Sequence, residues 1–233
     1  MTTVVTFGEG LVGYATAERE LSTATLFTRF PGGADLNVAV GLSRLGTPAT
    51  WASVLSTDPH GDYLADTVQG LGVTALFSRA PGPTGLMFKA GDGHGDPEIL
   101  QARHSSVFAQ HADAVLADVL SLRGYRHLHL TGIPLGISGV SRATALALLE
   151  AATVAGMTTS FDPNLRPHLF ADQQQMRESL NAVAARCTLV LPGLAEGRLL
   201  TGRDDPADRT EAFKSGSTKR HASGPSSPPG AAT

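Results

Sequence analysis

Two kinds of hydrophobic pattern alternate along most of the chain. Short apolar or β-branched runs predict buried strands, and longer stretches with apolar residues at helical spacing, closed by glycine, predict helices. The predicted strands are Thr3–Gly8, Ala49–Ser56, Val73–Phe77, Thr84–Ala90, Glu98–Arg103, Arg126–Thr131, Thr158–Phe161 and Thr188–Leu191. The predicted helices are Leu36–Leu45, Asp62–Leu71, Ala112–Leu122, Ser141–Ala155 and Gln173–Arg186. Strands that alternate with helices in this way predict βαβ units, a mainly parallel sheet and an α/β fold.

Two segments predict a second, smaller sheet outside the main core. Residues 11–30 are polar and rich in threonine, with short alternating pieces. Residues 73–103 contain short strands, two of them separated by a glycine- and aspartate-rich loop of the kind found in hairpins. We expect antiparallel strands within 11–30 and, in part, within 73–103.

The end of the chain has a different composition. Residues 215–233 contain no Val, Ile, Leu or Phe, and Ser, Gly and Pro supply 11 of the 19 positions. Such a segment buries too little apolar surface to offset its ordering. We predict one domain over residues 1–208, with a sheet that is left incomplete, and a disordered tail over 209–233.

Bulk composition narrows the classes of partner. Apolar residues make up 42% of the chain, charged residues 17%, and the net charge is −3. This balance favours neither nucleic acid nor an anionic membrane as a partner. The one cysteine, Cys187, excludes a disulfide within the chain, and we find neither a secretory signal pattern nor an apolar run long enough to span a membrane. We therefore expect a cytoplasmic protein.

Three chain breaks should lie at the carboxyl ends of strands, where open α/β sheets bind ligands. The first, 31–37, places paired glycines before a helix, which suits either ligand binding or a plain helix entry. The second, 161–167, encloses Asn164 and Arg166 between two prolines. Arg166 can pair with a carboxylate or phosphate, or with a surface acid. In the third, 191–197, Glu196 can orient a hydrated Mg²⁺ or simply favour a helix start.

Together these segments resemble the PfkB family of carbohydrate kinases, also called ribokinase-like. Gly-Gly-Ala-Asp-Leu-Asn-Val-Ala at 32–39 matches the family's first signature, which continues to Gly61. Residues 161–166 and 191–196 are most similar to the 2-keto-3-deoxygluconate kinase branch, and the resemblance runs from Thr3 to Asp208. It implies a ribokinase-like three-layer α/β/α sandwich with a small β lid that often pairs two subunits.

The resemblance also implies roles for individual residues. Gly33 and Asn37 would contact sugar hydroxyls, Arg103 and Arg166 would hold an acid sugar, and Asn164 would also bind substrate. Asp162 and Glu196 would be associated with ATP and Mg²⁺. The histidines show no metal-ligand spacing, so we assign no metal ligands.

Three departures from the family pattern bear on function. Met87 and Gln101 stand where the branch usually has aromatic residues, and Gly193 stands where many members have asparagine. The Gly-Ala-Gly-Asp motif that supplies the family's catalytic base does not occur in the 233 residues. We expect a kinase of 2-keto-3-deoxygluconate or a related acid sugar that is impaired in this chain. The alternatives are a non-catalytic sugar-binding or regulatory protein and a ribokinase- or fructokinase-type enzyme for a neutral sugar.

Overall fold

A parallel sheet lies at the centre of the protein in the computed structural model, which describes residues 4–91, 96–121, 124–205, 207–209 and 211–213. The described strands are β1 (Val4–Phe7), β2 (Leu11–Thr16), β3 (Thr28–Gly32), β4 (Ala49–Ser56), β5 (Thr74–Ala80), β6 (Gly85–Ala90), β7 (Glu98–Ala102), β8 (His127–Thr131), β9 (Thr158–Asp162) and β10 (Leu189–Val190). The described helices are α1 (Ala34–Arg44), α2 (Pro59–Gly70), α3 (Val107–His111), α4 (Leu116–Ser121), α5 (Ile133–Ile137), α6 (Gly139–Val154), α7 (Gln173–Ala184) and α8 (Leu194–Thr201). Within these residues six strands pair in the order β10-β9-β8-β1-β4-β5, all parallel. The predicted α/β fold with a mainly parallel sheet is confirmed.

Helices cover both faces of this sheet. Successive side chains of a strand point to opposite faces, and β1 shows the result. Val5 and Phe7 pack into a core shared with α3 and α6, whereas Val4 packs into a separate core with α1 and α2. All eight residues of β4 are buried. The arrangement is therefore the three-layer sandwich expected of a buried parallel sheet.

A second sheet, here called the lid, joins four of the described strands in the order β3-β2-β6-β7. Strands β2 and β6 are parallel, and the two outer pairs are antiparallel. The structure divides the strands expected between 73 and 103. Strands β6 and β7 belong to the lid, but β5 pairs with β4 at the edge of the main sheet. Strand β5 is only half-buried. Its hydrophobic pattern therefore does not distinguish an edge strand of the main sheet from a strand of the lid.

One carboxylate ties the lid to the main domain. Asp58 caps α2 by accepting a hydrogen bond from the Gly61 amide at 2.7 Å. The same side chain accepts bonds from the Thr84 amide at 2.8 Å and from the Thr84 hydroxyl at 2.7 Å, just before β6. Burial alone would raise the pKa of Asp58, but these hydrogen bonds outweigh it and lower the pKa. A single charged group thus serves both a helix start and the base of the lid.

Two further regions differ from expectation. The stretch predicted as one helix over Ala112–Leu122 is broken into a 3₁₀ turn at Ala112–Val115 and the short α4. Helix α5 was not predicted, because its five buried residues include both proline and glycine. Across the described ranges no helix has the length and apolar character needed to cross a membrane.

The start of the predicted tail falls inside the described residues. Arg209 is buried, and its guanidinium donates to the carbonyl oxygens of Leu194 and Arg203. Residues 214–233 lie outside the described ranges, so the expectation of disorder there stays a prediction.

Candidate functional site

A cavity of about 330 Å³ opens between the lid and the carboxyl ends of the main strands. This is the edge at which parallel α/β sheets bind their ligands. All five side chains or backbones expected to contact substrate line it: Gly33, Asn37, Arg103, Asn164 and Arg166. Met87 and Gln101, the two positions that depart from the aromatic pattern, also line the cavity. The residues predicted from the sequence therefore line a single cavity, which is formed by α1, the lid and the loop after β9.

Gly33 makes the sharp entry into α1. Its φ is 151°, in the region that side chains with a Cβ rarely adopt. A Cβ at this position would lie 2.5 Å from the Glu9 carbonyl oxygen. The Asn37 amide donates to the Gly33 carbonyl at 2.9 Å, and Asn37 is exposed at the cavity wall. Glycine is therefore required sterically here, and it brings the start of α1 against the cavity.

Asp35 is a buried acid that the sequence analysis did not single out. The Thr131 hydroxyl donates to Asp35 Oδ2 at 2.9 Å, and the Thr6 hydroxyl donates to the Asp35 carbonyl at 3.0 Å. Asp35 Oδ1 has no hydrogen-bond partner among the described residues. Burial raises the pKa of Asp35 to about 8, against the opposing hydrogen bond from Thr131. The group is thus a neutral carboxylic acid at pH 7, fixed where α1 meets β1 and β8.

Arg103 reaches the cavity from the end of β7, but much of its bonding capacity is used within the protein. Its Nε donates to Glu9 Oε2 at 2.7 Å, and its Nη2 lies 2.6 Å from the same oxygen. Its Nη1 donates to Gln101 Oε1 at 3.2 Å. Both members of the ion pair are buried, with side-chain exposures of 5% for Arg103 and 0% for Glu9. Glu9 was missed because its partner lies 94 residues away in sequence.

Arg166, from the loop after β9, also lines the cavity and is exposed. Its Nη1 donates to the Leu165 carbonyl at 2.7 Å. His168 nearby shares a hydrogen bond of 3.1 Å with Gln101 Oε1. Burial lowers the pKa of His168, and the charges of Arg103 and Arg166 lower it further. The two guanidiniums therefore act on the same small region, as expected of a site for an anionic group.

The loop after β9 is held by two carboxylates. Asp162 Oδ1 accepts from the Asn164 amide at 2.9 Å, and Asp162 Oδ2 accepts from Asn164 Nδ2 at 3.3 Å. This turn places Asn164 at φ 41°, the one described non-glycine residue with a positive φ. Such strain persists only where its surroundings fix it, and it often marks a functional turn. Here it holds the Asn164 side chain at the cavity wall.

Glu196 connects that loop to α8. Its Oε1 accepts from the Leu165 amide at 2.8 Å, and its Oε2 accepts from the Gly193 amide at 2.8 Å at the start of α8. Burial raises the pKa of Asp162, the hydrogen bonds from Asn164 oppose that shift, and the nearby charge of Glu196 adds to it. Asp162 and Glu196 therefore lie close enough to repel each other. All four of their carboxylate oxygens accept hydrogen bonds within the protein, and their association with ATP and Mg²⁺ stays a prediction.

Chemically, these residues can bind and orient a polar, anionic small molecule. Within the described ranges there is no group of three or more His, Cys, Asp or Glu side chains placed to hold a metal ion. The sequence also lacks the Gly-Ala-Gly-Asp motif. The motif that the family resemblance names as the source of the base accepting the substrate proton is therefore absent from the 233 residues.

Comparisons with known proteins agree with this geometry. The chain is 35% identical over 207 residues to a 2-dehydro-3-deoxygluconokinase of Bacillus subtilis, covering 87% of this chain and 63% of the relative. It is 32% identical over 211 residues to the probable fructokinase-7 of Arabidopsis thaliana, covering 89% of this chain and 61% of the relative. The chain thus spans less than two thirds of the length of these two relatives.

The fold gives the same assignment. A solved PfkB protein from Polaromonas sp. JS666 superimposes with a TM-score of 0.84 at 36% identity, covering 93% of this chain and 74% of that one. The family model described as pfkB family carbohydrate kinase matches residues 1–222. The ribokinase-like expectation is confirmed, and the chain belongs to the pfkB family of carbohydrate kinases.

Proposed function

We propose that this chain supplies the sugar-binding part of an ATP-dependent kinase whose acceptor is 2-keto-3-deoxygluconate or a related acid sugar. The observation that carries the proposal is that Arg103 and Arg166 line the same cavity. A guanidinium pairs with a carboxylate in a planar, directional way. The Bacillus subtilis relative supports the same substrate, because 2-dehydro-3-deoxygluconate is another name for 2-keto-3-deoxygluconate.

The proposed roles follow the positions of the residues. Gly33 and Asn37 meet sugar hydroxyls at the start of α1, Asn164 does so from the loop after β9, and the two arginines receive the carboxylate. Asp162 and Glu196 would help to hold Mg²⁺, and bound ATP would supply the transferable phosphoryl group. The proton of the attacking hydroxyl needs a base that the 233 residues do not provide in the family motif. We therefore expect this chain to bind sugar with little or no turnover.

A second candidate is a fructokinase-type activity on a neutral sugar. Several curated fructokinases are 30–32% identical to this chain, including enzymes from Zea mays and Klebsiella pneumoniae. The buried Glu9 also favours this candidate, because it offsets the charge of Arg103. Sugar preference therefore separates the two candidates.

Location and assembly are part of the proposal. We place the activity in the cytoplasm, since Cys187 has no second cysteine in the sequence with which to pair. We also propose a homodimer formed through the lid, because β7 exposes the side chains of Ile99 and Leu100. Sedimentation of the wild-type chain and of Ile99→Lys tests this; a monomer for both would contradict it.

One experiment tests the function. ATP consumption is measured with 2-keto-3-deoxygluconate, fructose and ribose, on this chain and on a version extended by the C-terminal part of the Bacillus subtilis relative. We expect turnover only in the extended version, with the acid sugar preferred. The extended Arg166→Ala variant should lose far more activity on the acid sugar than on fructose. Preference for fructose by the extended wild type would instead establish the second candidate, and no turnover with any sugar would refute both.

A further inference from the structure

Glu9 is a buried carboxylate directly behind the sugar cavity. It follows β1, and its side chain has no exposed surface. Its Oε1 accepts a hydrogen bond of 2.6 Å from the Ser106 hydroxyl, while its Oε2 accepts the bonds from Arg103. Glu9 does not line the cavity, and Arg103 is the cavity residue to which it is hydrogen-bonded.

Two glycines fix the space that Glu9 occupies. A Cβ on Gly85, the first residue of β6, would lie 2.5 Å from Glu9 Oε1. A Cβ on Gly33 would lie 2.5 Å from the Glu9 carbonyl oxygen. The lid therefore approaches Glu9 from one side and α1 from the other. Gly85 thus leaves no room for a side chain beside the Glu9 carboxylate, and Gly33 leaves none beside the Glu9 carbonyl.

Arg103 divides its guanidinium between Glu9 and the cavity. The single N–H of Nε and one N–H of Nη2 face Glu9, and one N–H of Nη1 faces Gln101. The remaining N–H groups have no hydrogen-bond partner among the described residues, and Arg103 lines the cavity. Arg103 can therefore still donate to a sugar oxygen, although a carboxylate a few ångströms away offsets its charge.

Arg166 is placed differently. Its hydrogen bond goes to the neutral carbonyl of Leu165. Within the described part of the chain no carboxylate lies within ion-pair distance of Arg166, although its charge acts to lower the pKa of Asp162. Of the two arginines at the cavity, Arg166 is thus the one whose charge is not matched by a buried partner.

We infer that Glu9 is a specificity-determining residue, which offsets the charge of Arg103 so that the preference for an acid sugar over a neutral one rests on Arg166. This inference rests on the proposed function, because it concerns the same sugar site. It assigns different tasks to the two arginines: Arg103 donates hydrogen bonds at a fixed position, and Arg166 selects for charge.

The test is the ratio of affinities for 2-keto-3-deoxygluconate and fructose, measured by titration calorimetry on this chain at low salt. Arg166→Gln should lower the acid-to-neutral ratio by about tenfold, the effect of one partly screened charge near a ligand carboxylate. Glu9→Gln should raise the ratio by about tenfold, because Arg103 then acts with its full charge. The double variant Glu9→Gln/Arg103→Gln should bind both sugars more weakly but keep the wild-type ratio within about threefold. Asp162 and Glu196 are unchanged in every variant, so their field cancels in the comparison.

The direction of the effects separates electrostatics from structural damage. If the role of Glu9 were only structural, replacing it would weaken the binding of both sugars alike and could not raise the ratio of affinities. Glu9→Gln leaves Arg103 buried without its partner and can destabilise the fold. The double variant removes both charges and so leaves no unpaired buried charge. It can therefore decide the question even if Glu9→Gln alone does not fold.

The outcomes are distinguishable. If the double variant loses acid preference as far as Arg166→Gln does, Arg103 is itself a charge selector and the inference is wrong. If the wild-type chain binds both sugars but Glu9→Gln lowers the ratio or leaves it unchanged, the inference alone is wrong and the proposed function stands. If the wild-type chain binds neither sugar, the proposed function and the inference are both overturned.

Discussion

Replacing Asp35 by asparagine should stabilise the protein at neutral pH, and the gain should grow as the pH rises. Asparagine keeps the shape of the carboxylic acid and the oxygen that accepts the Thr131 hydroxyl, but it cannot ionise. The pKa of Asp35 lies at about 8 in the folded protein, against 3.8 for an unperturbed aspartic acid. Between these two values the unfolded chain releases its proton while the folded protein keeps it. Stability is therefore lost as the pH rises through this interval.

The magnitude follows from the size of the shift. Each pH unit between the two pKa values costs about 1.4 kcal/mol. At pH 7 the penalty on the wild-type protein is about 4 kcal/mol, an upper figure for a group whose surroundings can relax. The stability of Asp35→Asn relative to wild type should then rise by about 4 kcal/mol between pH 5 and pH 8. All other titrating groups are common to both proteins and cancel to first order.

The assay is urea unfolding at pH 5 and pH 8, followed by Trp51 fluorescence. Trp51 is fully buried, and its indole donates to the Gly8 carbonyl at 3.2 Å, so it reports on the packing next to Asp35. Asp66→Asn, an exposed change on α2, is the matched control and should be neutral at both pH values. A variant whose stability relative to wild type does not change with pH would show that Asp35 is already ionised in the fold, and the reasoning would be refuted.

Three further predictions concern other parts of the structure. Gly33→Ala should destabilise the protein by about 2 kcal/mol or more, because its φ is unfavourable and its Cβ would clash with Glu9; thermal melting checks this, and an unchanged melting temperature would contradict it. Glu196→Ala should lower the free energy of urea unfolding by about 1–3 kcal/mol, because the amides of Gly193 and Leu165 lose their acceptor. Glu196→Gln retains one oxygen acceptor and should lose only part of that stability. Leu189→Lys should reduce aggregation of the purified chain, measured by light scattering, because β10 is an edge strand in which this side chain is 51% exposed. Equal scattering by the variant and the wild type would exclude this edge as the surface through which the chain aggregates.

The sequence was sufficient where a local pattern determines the structure. Continuous apolar runs located the buried strands, and the glycine pair at 32–33 located the entry into α1, since few other residues permit that backbone. Four of the five substrate positions lie in two of the predicted chain breaks, 31–37 and 161–167, whereas Arg103 came from the family resemblance; the structure brings all five to one cavity.

Contacts between distant residues were not accessible in the same way. Aspartate in the first turn of a helix is ordinarily a surface residue, and nothing near Asp35 in sequence reveals that Thr131 lies above it. Likewise Arg103 gives no local sign of its pairing with Glu9. Both cases involve buried charge or a buried acid whose environment is built by separate elements of the fold.

The attachment of the lid has a thermodynamic consequence. Asp58 accepts bonds from Gly61 at the start of α2 and from Thr84 at the base of the lid through one ionised carboxylate. Because the pKa of Asp58 is lowered, this contribution is present above the pKa of the unfolded chain and is lost when acid protonates the folded state. Helix initiation and lid attachment are therefore linked equilibria: protonation of one oxygen atom weakens both, and anything that holds the lid in place also favours the first turn of α2.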